Sequence, residues 1–456
     1  MNWRAPWLRK RIGLAGMAAW DCSVIYICYL VTYWSKVGRW DIWSGSAWVA
    51  SVCWISTSYV LGRYSKEKGS KIRLVDEVAM GVITAAVVLI VFVGHGWITG
   101  NIGATTKISS FLLPMAGVSL VFSLVGRYVV GMMRREEIQW CIVCSSAEKK
   151  VLDGELKKEG KRLKVRFVNT NELRCGDLEE LARSASIAVG SIRCSSNEAI
   201  EKELLQAKER GAKVVDVIVW CELNLQRIPP ELVRTSWLIG AEGFTLRQGG
   251  TVWRIKRFGD IIGSAVILLI SAPVAIAAAV AVKLEDYGPI FYRQKRTGLN
   301  GEVINIWKIR SMRIDAERDG IKWSAKNDQR VTRVGKVIRA TRIDELPQLI
   351  SVLKGDLSLI GPRPERPEVE VKLEEEIRFY RVRHWVRPGI SGWAQVCYPY
   401  GASVKDSRAK LSFDLFYIRN AGILMDFLIF AKTIKLVLRA DGSRPEGDME
   451  EMHAVK

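Results

Sequence analysis

The chain has 456 residues, enough for two or three domains with cores of their own. Hydrophobic residues make up 49 % of it and charged residues 25 %, and its mean hydropathy is +0.08. This mixture predicts apolar membrane segments joined to polar domains. The net charge of +20 would also suit a soluble nucleic-acid-binding protein. The apolar segments argue against a soluble nucleic-acid-binding protein. Anionic lipids and phosphorylated substrates as partners explain the same excess of positive charge.

The nine cysteines are scattered along the chain, and Cys141 and Cys144 form its only CxxC pair. A structural zinc site needs a second pair or a histidine cluster at ligand spacing, and the sequence offers neither. We therefore expect reduced, mostly buried thiols.

Four apolar stretches in the first third of the chain each approach the ~20 residues that a helix needs to cross a bilayer. They lie at 12–34, 44–62, 74–95 and 108–133. Eleven Lys and Arg residues precede the first stretch, join the second to the third or follow the fourth, against three in the other two connections. This asymmetry predicts a four-helix transmembrane bundle, 1–137, with both ends in the cytoplasm. Asp21, inside the first stretch, is expected to pair with a neighbouring helix.

Short apolar runs alternate with charged helical stretches from Gln139 to about Gly243, as in a parallel α/β fold. The runs lie at 140–144, 165–169, 187–191 and 214–220. The first run leads into CSSAEKK, without the G-x-G-x-x-G that lets a backbone approach a pyrophosphate. We therefore predict a Rossmann-like domain, 138–245, that serves regulation or oligomerisation and binds no dinucleotide.

A fifth apolar stretch, 261–284, has basic residues on both sides, so a full crossing would place one basic cluster outside. Pro273, in its middle, removes an amide donor and kinks a helix. The Ser271 hydroxyl is well placed to help satisfy the freed carbonyls. We predict a re-entrant helix, 258–284, that enters one leaflet and returns. A kinked but ordinary crossing is the alternative.

Positive charge is concentrated just before one acidic pair. Residues 251–343 contain 18 Lys and Arg against 8 Asp and Glu, which is half of the chain's net excess. Asp344 and Glu345 follow directly. Arg339 and Arg342 lie one turn apart on one face of the preceding predicted helix.

A proline and a glycine delimit the next predicted helix. Pro347 suits its first turn, and Gly355 suits its C-terminal stop. The acidic pair therefore falls in the turn between two helices, where partial positive charge keeps a carboxylate ionised.

Two explanations fit an ionised carboxylate surrounded by arginines. The first is a structural salt bridge. In the second, the Asp attacks a phosphoryl group covalently, the adjacent Glu holds Mg²⁺, and arginine forks clamp the phosphate. The residues by themselves favour a membrane enzyme that handles phosphate.

Several blocks in order carry a specific resemblance over about 251–440. They are DELPQL (344–349), GDLSLIGPRP (355–364), PGISGWAQV (388–396) and DLFYIRN (414–420). Together they resemble the bacterial sugar transferase family, monotopic polyprenyl-phosphate glycosyl-1-phosphate transferases with a mainly α-helical catalytic domain. The domain order resembles the family's long form, and YPYGAS (398–403) resembles its exosortase-associated subgroup.

The resemblance assigns the role of nucleophile to Asp344 and makes the acidic pair the Mg²⁺ site, with Glu345 as the ligand. It implies that Asp344 attacks the sugar-bearing phosphate of a UDP-sugar and releases UMP. Undecaprenyl phosphate then accepts the phosphosugar at the cytoplasmic face of the bacterial inner membrane. The residues expected around the substrates are Lys308, Arg310, Arg342 and Arg363, at basic family positions, Arg339 on the helical face of Arg342, and Asp414, at a polar family position.

The helix with Ser271 and Pro273 resembles the family's re-entrant helix, although Ala272 separates two residues that the family usually has adjacent. Elsewhere, His384 is expected to be structural or to contact phosphate, 422–438 to lie on the membrane as an amphipathic helix, and 441–456 to be a polar tail. The N-terminal half is expected to mediate a homodimer. Two alternatives stay open: a processive membrane glycosyltransferase that releases UDP, and a membrane sensor or scaffold without catalysis.

Overall fold

The chain forms two compact units, which divide between Val217 and Ile218. The first contains helices and a small parallel sheet, and the second is mainly helical. The computed structural model describes residues 6–38, 40, 45–61, 63–64, 74–98, 117–126, 139–159, 163–169, 186–190, 198–244, 246, 249–314, 316, 328–398 and 403–438.

The N-terminal part of the first unit is a group of apolar helices. They are α1 (Pro6–Val37), α2 (Gly45–Leu61), α3 (Leu74–Ile98) and α4 (117–126). α2 packs against both α1 and α3, and Ile25, Trp54 and Val88 form a buried cluster among them. Within the described part of this unit, 15–35 is the one helical segment long and apolar enough to cross a membrane, and 78–91 and 117–126 are shorter apolar helices. Much of the predicted fourth crossing, 108–133, lies outside the described residues.

Asp21 is buried inside this group of helices and has a structural partner, as predicted. The hydroxyl of Tyr64, just beyond α2, donates a hydrogen bond to Asp21 Oδ2 over 2.5 Å. The neighbouring Arg63 is also buried and donates to the hydroxyl oxygens of Ser58 and Ser123. Polar groups in this interior thus satisfy one another.

A four-stranded parallel sheet follows in the order β2-β1-β3-β4. Its elements are β1 (Trp140–Cys144), α5 (Ser146–Glu159), β2 (Val165–Asn169), β3 (Ser186–Val189), α6 (Glu198–Glu209) and β4 (Val214–Asp216). The strand predicted at 214–220 is wrong beyond Asp216, where α7 (Val217–Asn224) begins. Val217, Ile218, Trp220 and Cys221 are all buried, and an apolar run that is buried on every side does not distinguish a strand from a helix.

The second unit begins inside α7, so 218–244 belongs to a different compact unit from the α/β sheet to which the sequence pattern assigned it. The Glu222 carboxylate accepts a hydrogen bond from Asn420 Nδ2 over 2.8 Å and forms a 2.8 Å ion pair with Arg419. Farther along, the backbone N–H of Ile228 donates to the carbonyl of Ser412. Residues 218–244 therefore belong to the body formed by 251–438.

The rest of this body is built from one long helix, two small sheets and several short helices. Its elements are α8 (Thr235–Gly240), α9 (Thr251–Asp286), the antiparallel pair β5 (Phe291–Thr297) and β6 (Val303–Ile309), α10 (Arg333–Ala340), α11 (Gln348–Lys354), β7 (Ser358–Ile360) paired in parallel with β8 (Gly389–Ser391), α12 (Pro367–Glu376), α13 (Trp393–Cys397), α14 (Val404–Asn420) and α15 (Ile423–Leu438). Single turns of 3₁₀ helix occur at Pro230–Leu232, Leu299–Gly301 and Ile343–Glu345, and a longer one occupies Tyr380–Trp385.

The two ends of α9 pack against this same body. Near its start, Lys256 Nζ donates to the carbonyl of Ile360 over 2.9 Å. Near its end, Ala278 and Val282 join a buried cluster with Ile309 of β6 and Ile338 of α10. Between these ends, 265–277 contains no buried residue.

The middle of α9 remains helical through Pro273, and the helix is 36 residues long. Ser271 Oγ contacts the carbonyl of Leu268 at 3.5 Å, whereas the carbonyl that Pro273 leaves without its amide donor is that of Leu269. The length and hydropathy of α9 are sufficient for a membrane segment. Its re-entrant course stays a prediction.

α15 is amphipathic. Met425 and Ile429 are buried, whereas Leu424 and Phe427 expose 62 % and 70 % of their surfaces. Such a face suits the boundary between lipid headgroups and acyl chains. The predicted polar tail, 441–456, lies outside the described residues.

Candidate active site

The acidic pair lies in the turn between α10 and α11, as the positions of Pro347 and Gly355 predicted. Asp344 and Glu345 form the 3₁₀ turn, and Pro347 is the N-terminal cap of α11. Gly355 ends α11 with φ of 102°, a left-handed conformation that glycine adopts without steric cost. Arg342, just before the pair, also has positive φ, 58°, which is uncommon for a residue with a side chain and stores strain beside the site.

Glu345 is surrounded by cations. Its Oε1 accepts hydrogen bonds from Arg363 Nη2 over 2.7 Å and from Lys308 Nζ over 3.1 Å, and its Oε2 lies 3.6 Å from Arg342 Nη1. Burial by itself would raise the pKa of this carboxyl, but Arg363, Lys308 and Arg342 hold the pKa well below its ordinary value. Glu345 is therefore a fixed negative charge at neutral pH.

Asp344 has a different environment, although it is equally buried. Within the described part of the chain, its carboxylate has no hydrogen bond or ion pair. Burial and, to a lesser degree, the charge of Glu345 raise the pKa of Asp344, Lys308, Arg339 and Arg363 lower it, and the net result is a pKa of about 6. The group is thus mainly ionised at neutral pH, and its oxygens are free to react or to bind a ligand.

Strand geometry explains how Lys308 reaches the pair. Alternate residues of a strand share one face, so Lys308 lies on the same face of β6 as Ile304 and Ile306. Ile306 is in a buried cluster with Val352 and Leu357, against α11. Burial lowers the pKa of Lys308, and Glu345 counteracts the shift.

Among the described residues, Asp414 is connected to the pair through Arg383 and Arg363. Its Oδ2 accepts a hydrogen bond from Arg383 Nη2 over 3.0 Å, and the same nitrogen donates to the Arg363 carbonyl over 2.9 Å. Asp414 and Arg383 are both buried, and burial raises the pKa of Asp414 to about 6. Asp414 thus supports the backbone that carries Arg363, the arginine bound to Glu345.

The two remaining predicted arginines, Arg310 and Arg339, have different surroundings. Arg310 forms an ion pair with Asp286, at the end of α9, and is not described in contact with the acidic pair. Among the described residues, the buried Arg310 Nε and Nη1 have no hydrogen-bond partner. Arg339 lies on α10, where its charge acts on Asp344.

Sequence reasoning missed two arginines, of which Arg383 is buried and Arg296 is partly buried. Arg383 is described above, and Arg296 Nη1 donates to the carbonyl of Pro364 over 3.0 Å, next to Arg363. Burial lowers the pKa of Arg296 to about 10. In the RQKRT segment, strand alternation places Arg296 on the same face as the buried Gln294. This alternation is the sequence feature that could have identified Arg296 as an inward-facing arginine.

His384 has a structural environment. Its Nε2 lies 2.6 Å from Glu370 Oε1, and both residues are buried. The structural alternative predicted for His384 is therefore the one that these contacts favour.

The acidic pair is compatible with Mg²⁺, although the described residues contain no group of three or more His, Cys, Asp or Glu that could hold a metal. Mg²⁺ is commonly bound by one or two carboxylates together with substrate phosphates. The Asp344 oxygens have no partner among the described residues, and Glu345 Oε2 lies 3.6 Å from its cationic neighbour Arg342 Nη1. The pair fits an ion whose coordination a substrate completes.

A buried acidic pair in a cationic setting, on a body with a long exposed apolar helix, defines a membrane-associated protein that handles phosphate. The family model of the bacterial sugar transferases matches residues 251–440. A glucose-1-phosphate transferase of Caulobacter vibrioides that acts on UDP-glucose and undecaprenyl phosphate is 37 % identical over 244 residues, which are 50 % of this chain and 90 % of that protein. The chain belongs to the bacterial sugar transferase family.

Two further relatives are long proteins that the chain matches in part. A UDP-N-acetylgalactosamine-undecaprenyl-phosphate N-acetylgalactosaminephosphotransferase of Aeromonas hydrophila is 47 % identical over 42 % of this chain and 45 % of its own length. The UDP-glucose:undecaprenyl-phosphate glucose-1-phosphate transferase of Escherichia coli K12 is 40 % identical over 40 % of this chain and 39 % of its own length. The chain thus spans less than half of these two relatives.

Proposed function

We propose that this protein transfers a sugar 1-phosphate from a UDP-sugar to undecaprenyl phosphate, with Asp344 as the nucleophile. The contrast within the acidic pair carries the proposal: Glu345 is held by three cations, whereas Asp344 is ionised and without a partner among the described residues. A buried carboxylate of this kind loses its unfavourable charge when its oxygen becomes the bridging oxygen of an acyl phosphate. The relatives named above support the substrate classes.

The reaction proceeds in two displacements at phosphorus. An Asp344 oxygen forms a bond to the phosphorus that carries the sugar, and the bond from that phosphorus to the bridging oxygen breaks, so UMP leaves with both electrons of that bond. A phosphate oxygen of undecaprenyl phosphate then attacks the same phosphorus. The aspartyl–phosphorus bond breaks, and Asp344 is released as a carboxylate. Neither step requires a proton to be removed from the nucleophile.

The surrounding cations fit the charge that develops. Arg342, Arg363 and Lys308 surround Glu345 and lie where the pyrophosphate must approach Asp344, and Arg339 adds positive potential. Glu345 would hold Mg²⁺ together with substrate phosphate oxygens. The ion, when bound, neutralises the pyrophosphate and stabilises the UMP that leaves.

We also propose that α9 is re-entrant and that the body lies on the cytoplasmic face of the bacterial inner membrane. Because both ends of α9 pack on one body, a straight crossing would separate contacts that occur together. The unburied middle, 265–277, would enter the bilayer, and the exposed apolar face of α15 would lie beside it. The first unit would add a multi-pass anchor.

For the sheet of 140–216, we propose a Rossmann-like domain that binds no dinucleotide and mediates a homodimer. In folds of this kind, ligands bind beyond the carboxyl ends of the strands where the strand order reverses, here β1 and β3. At that point, Glu148 Oε2 accepts hydrogen bonds from the Ser145 N–H and hydroxyl, each over 3.0 Å. If Gly190 carried a Cβ atom, that atom would lie 2.7 Å from Glu148 Oε2. The negative carboxylate therefore occupies the position that a phosphate would need.

Nucleotide products test the proposed reaction directly. Purified protein in lipid is given undecaprenyl phosphate and a panel of UDP-sugars containing glucose, galactose, N-acetylglucosamine or N-acetylgalactosamine. We expect UMP and a lipid product whose mass includes two phosphates, and the preferred sugar identifies the substrate. Release of UDP would instead indicate the processive glycosyltransferase, and no turnover with any sugar would favour the sensor or scaffold.

A further inference from the structure

A small cavity lies beside the first turns of α9, away from the acidic pair. Its lining includes Trp253, Arg257 and Asp260 of α9 and Trp385 and Arg387 from the segment before β8. Arg257 is bound to the last turn of α11, because its guanidinium donates to the carbonyls of Val352 and Leu353. The cavity is therefore at the opposite end of α11 from Asp344 and Glu345, about 10 Å along the helix at 1.5 Å per residue.

Arg387 is the unbalanced charge in this cavity. Its guanidinium lies over the Trp253 ring, 4.7 Å from the centroid, and it has no hydrogen bond or ion pair within the described part of the chain. Burial lowers the pKa of Arg387, and the adjacent charge of Arg257 lowers it further. The two guanidinium groups lie close to the same point beside Gly355. If Gly355 carried a Cβ atom, that atom would lie 3.4 Å from Arg257 Nη2 and 3.8 Å from Arg387 Nη2.

The neighbouring charges have partners of their own. Lys256 forms a 2.7 Å ion pair with Asp426, and Asp260 Oδ1 accepts a hydrogen bond from the backbone N–H of Leu359 over 3.1 Å. Asp260 and Asp356 are the acidic groups whose charges act on Arg387, and they offset part of its charge. Two arginines with free N–H groups remain, arranged for an anion with several oxygens.

The surroundings indicate that the anion belongs to an amphiphile. Ile255 and Phe258, on the same turns of α9 as Arg257, expose 47 % and 65 % of their surfaces, and Trp385 exposes 46 %. Exposed apolar residues together with tryptophan and arginine are typical of the headgroup level of a membrane. A ligand whose phosphate reaches Arg257 and Arg387 could place its tail along the apolar surface of α9.

We infer that Arg257 and Arg387, with Trp253 as a stacking platform, form a second phosphate site that binds the headgroup of an anionic membrane lipid. This site is separate from Asp344, and the inference goes beyond the proposed transfer reaction. Occupancy would fix the start of α9 at the headgroup level and so hold the body at the membrane surface.

Lipid retention by the full-length protein tests the site without any turnover. The protein is purified in a neutral detergent and titrated with phosphatidylglycerol or phosphatidylcholine, and bound lipid is counted by native mass spectrometry. We expect preferential retention of phosphatidylglycerol, and we expect Arg387→Gln to weaken it about tenfold through loss of a charged, forked donor. Arg378→Gln is the matched control, because Arg378 is also stacked on a ring, that of Phe379, but lies outside the cavity.

Equal retention of phosphatidylglycerol by the wild type and a folded Arg387→Gln variant would overturn the inference, as would equal losses in Arg387→Gln and Arg378→Gln. If Arg387→Gln does not fold, Arg387→Lys, which keeps the charge but not the fork, must still weaken retention, by about threefold. Unchanged retention in Arg387→Lys would then be the contradicting result. Full displacement of the lipid by inorganic phosphate would contradict the assignment to a lipid and indicate a free-phosphate site, whereas retention against inorganic phosphate would support it.

Discussion

Two adjacent carboxyl groups at the candidate active site have opposite electrostatic environments. Glu345 is paired with cations that keep its pKa low, whereas Asp344 is buried without a partner among the described residues, and its pKa rises to about 6. Such divergence separates the roles of two acids in one site. It also means that ionised Asp344 opposes folding, whereas ionised Glu345 favours it.

The first prediction concerns this difference in stability. The pKa of Asp344 in the folded protein lies above its ordinary value of 3.8. The contribution of Asp344 to the free energy of unfolding is therefore most favourable below pH 3.8 and is lost as the pH rises through about 6. Asp344→Asn should therefore raise the free energy of unfolding at neutral pH by on the order of 1–3 kcal/mol while activity falls by orders of magnitude. Thermal melts in detergent near pH 5 and pH 7.5 measure the gain, which should shrink at the lower pH.

Glu345→Gln is the matched control and should behave in the opposite way. The pKa of Glu345 is lowered in the folded protein. Its favourable contribution to the free energy of unfolding is therefore present above pH 4.5, its ordinary pKa, and is lost as the pH falls. Its replacement at neutral pH should lower the melting temperature. A loss of stability in Asp344→Asn as large as that in Glu345→Gln would contradict the assignment of environments.

Asp414 provides the second prediction at the residue scale. Asn at this position still accepts the hydrogen bond from Arg383, so Asp414→Asn should fold and keep the KM for UDP-sugar within about threefold. Asp414→Ala would leave Arg383 buried without this carboxylate and should cost about 3–5 kcal/mol. Melting temperatures and steady-state kinetics measure both. A folded Asp414→Asn variant with KM raised a hundredfold would show that Asp414 contacts substrate directly.

At the scale of elements, the proposed re-entrant course of α9 would determine where the body lies relative to the membrane. Contacts at both ends of α9 with the same body predict that Arg254, in the first turn of α9, and Arg293, in β5, face the same aqueous compartment. Cysteines placed at 254 and 293, in a background without accessible cysteines, should therefore react only with a label that reaches the cytoplasm. Trp40→Cys, in the predicted periplasmic connection, controls for label access.

Labelling of position 293 from the periplasm would contradict the re-entrant path. Pro273→Leu restores an amide donor to the middle of α9 and should favour a straight crossing. In that variant, the label at 293 should move to the periplasmic side, and activity should fall.

At the scale of the whole molecule, 218–244 completes the catalytic body. Removal of this segment would leave Arg419 without the Glu222 carboxylate and the Trp393 indole N–H without the carbonyl of Gln226, which it contacts over 2.9 Å. A chain that starts at Ile218 should therefore fold and retain measurable transferase activity. A chain that starts at Thr251 should be less stable by about 3–5 kcal/mol, the cost of breaking a buried ion pair.

Melting temperature and UMP release compare the two truncated chains, and Glu222→Ala in the full-length chain is the matched control for the ion pair. Equal stability of the two chains would contradict the assignment of 218–244 to the catalytic body. A folded chain from Ile218 without activity would show that the helices or the sheet domain contribute to the chemistry.

The features that sequence predicted well depend on neighbouring residues. The turn that holds Asp344 and Glu345 followed from Pro347 and Gly355, because each acts on its own stretch of backbone. The support of Arg363 by Arg383 was missed because the two residues are twenty positions apart and meet only in the folded chain. The domain boundary was misplaced for a similar reason, since the first five residues of α7 are apolar and the partner of Glu222 in α14 is about 200 residues later.

The covalent intermediate is the central claim, and one measurement tests it most directly. The protein is incubated with a UDP-sugar labelled in the phosphate that carries the sugar, without undecaprenyl phosphate, then quenched and digested. We predict one phosphosugar per active chain, attached to the peptide that contains Asp344, with an equal burst of UMP and complete chase by undecaprenyl phosphate. Asp344→Asn should show neither label nor burst. Normal turnover without labelled protein, or with the label on another residue, would contradict catalysis through Asp344.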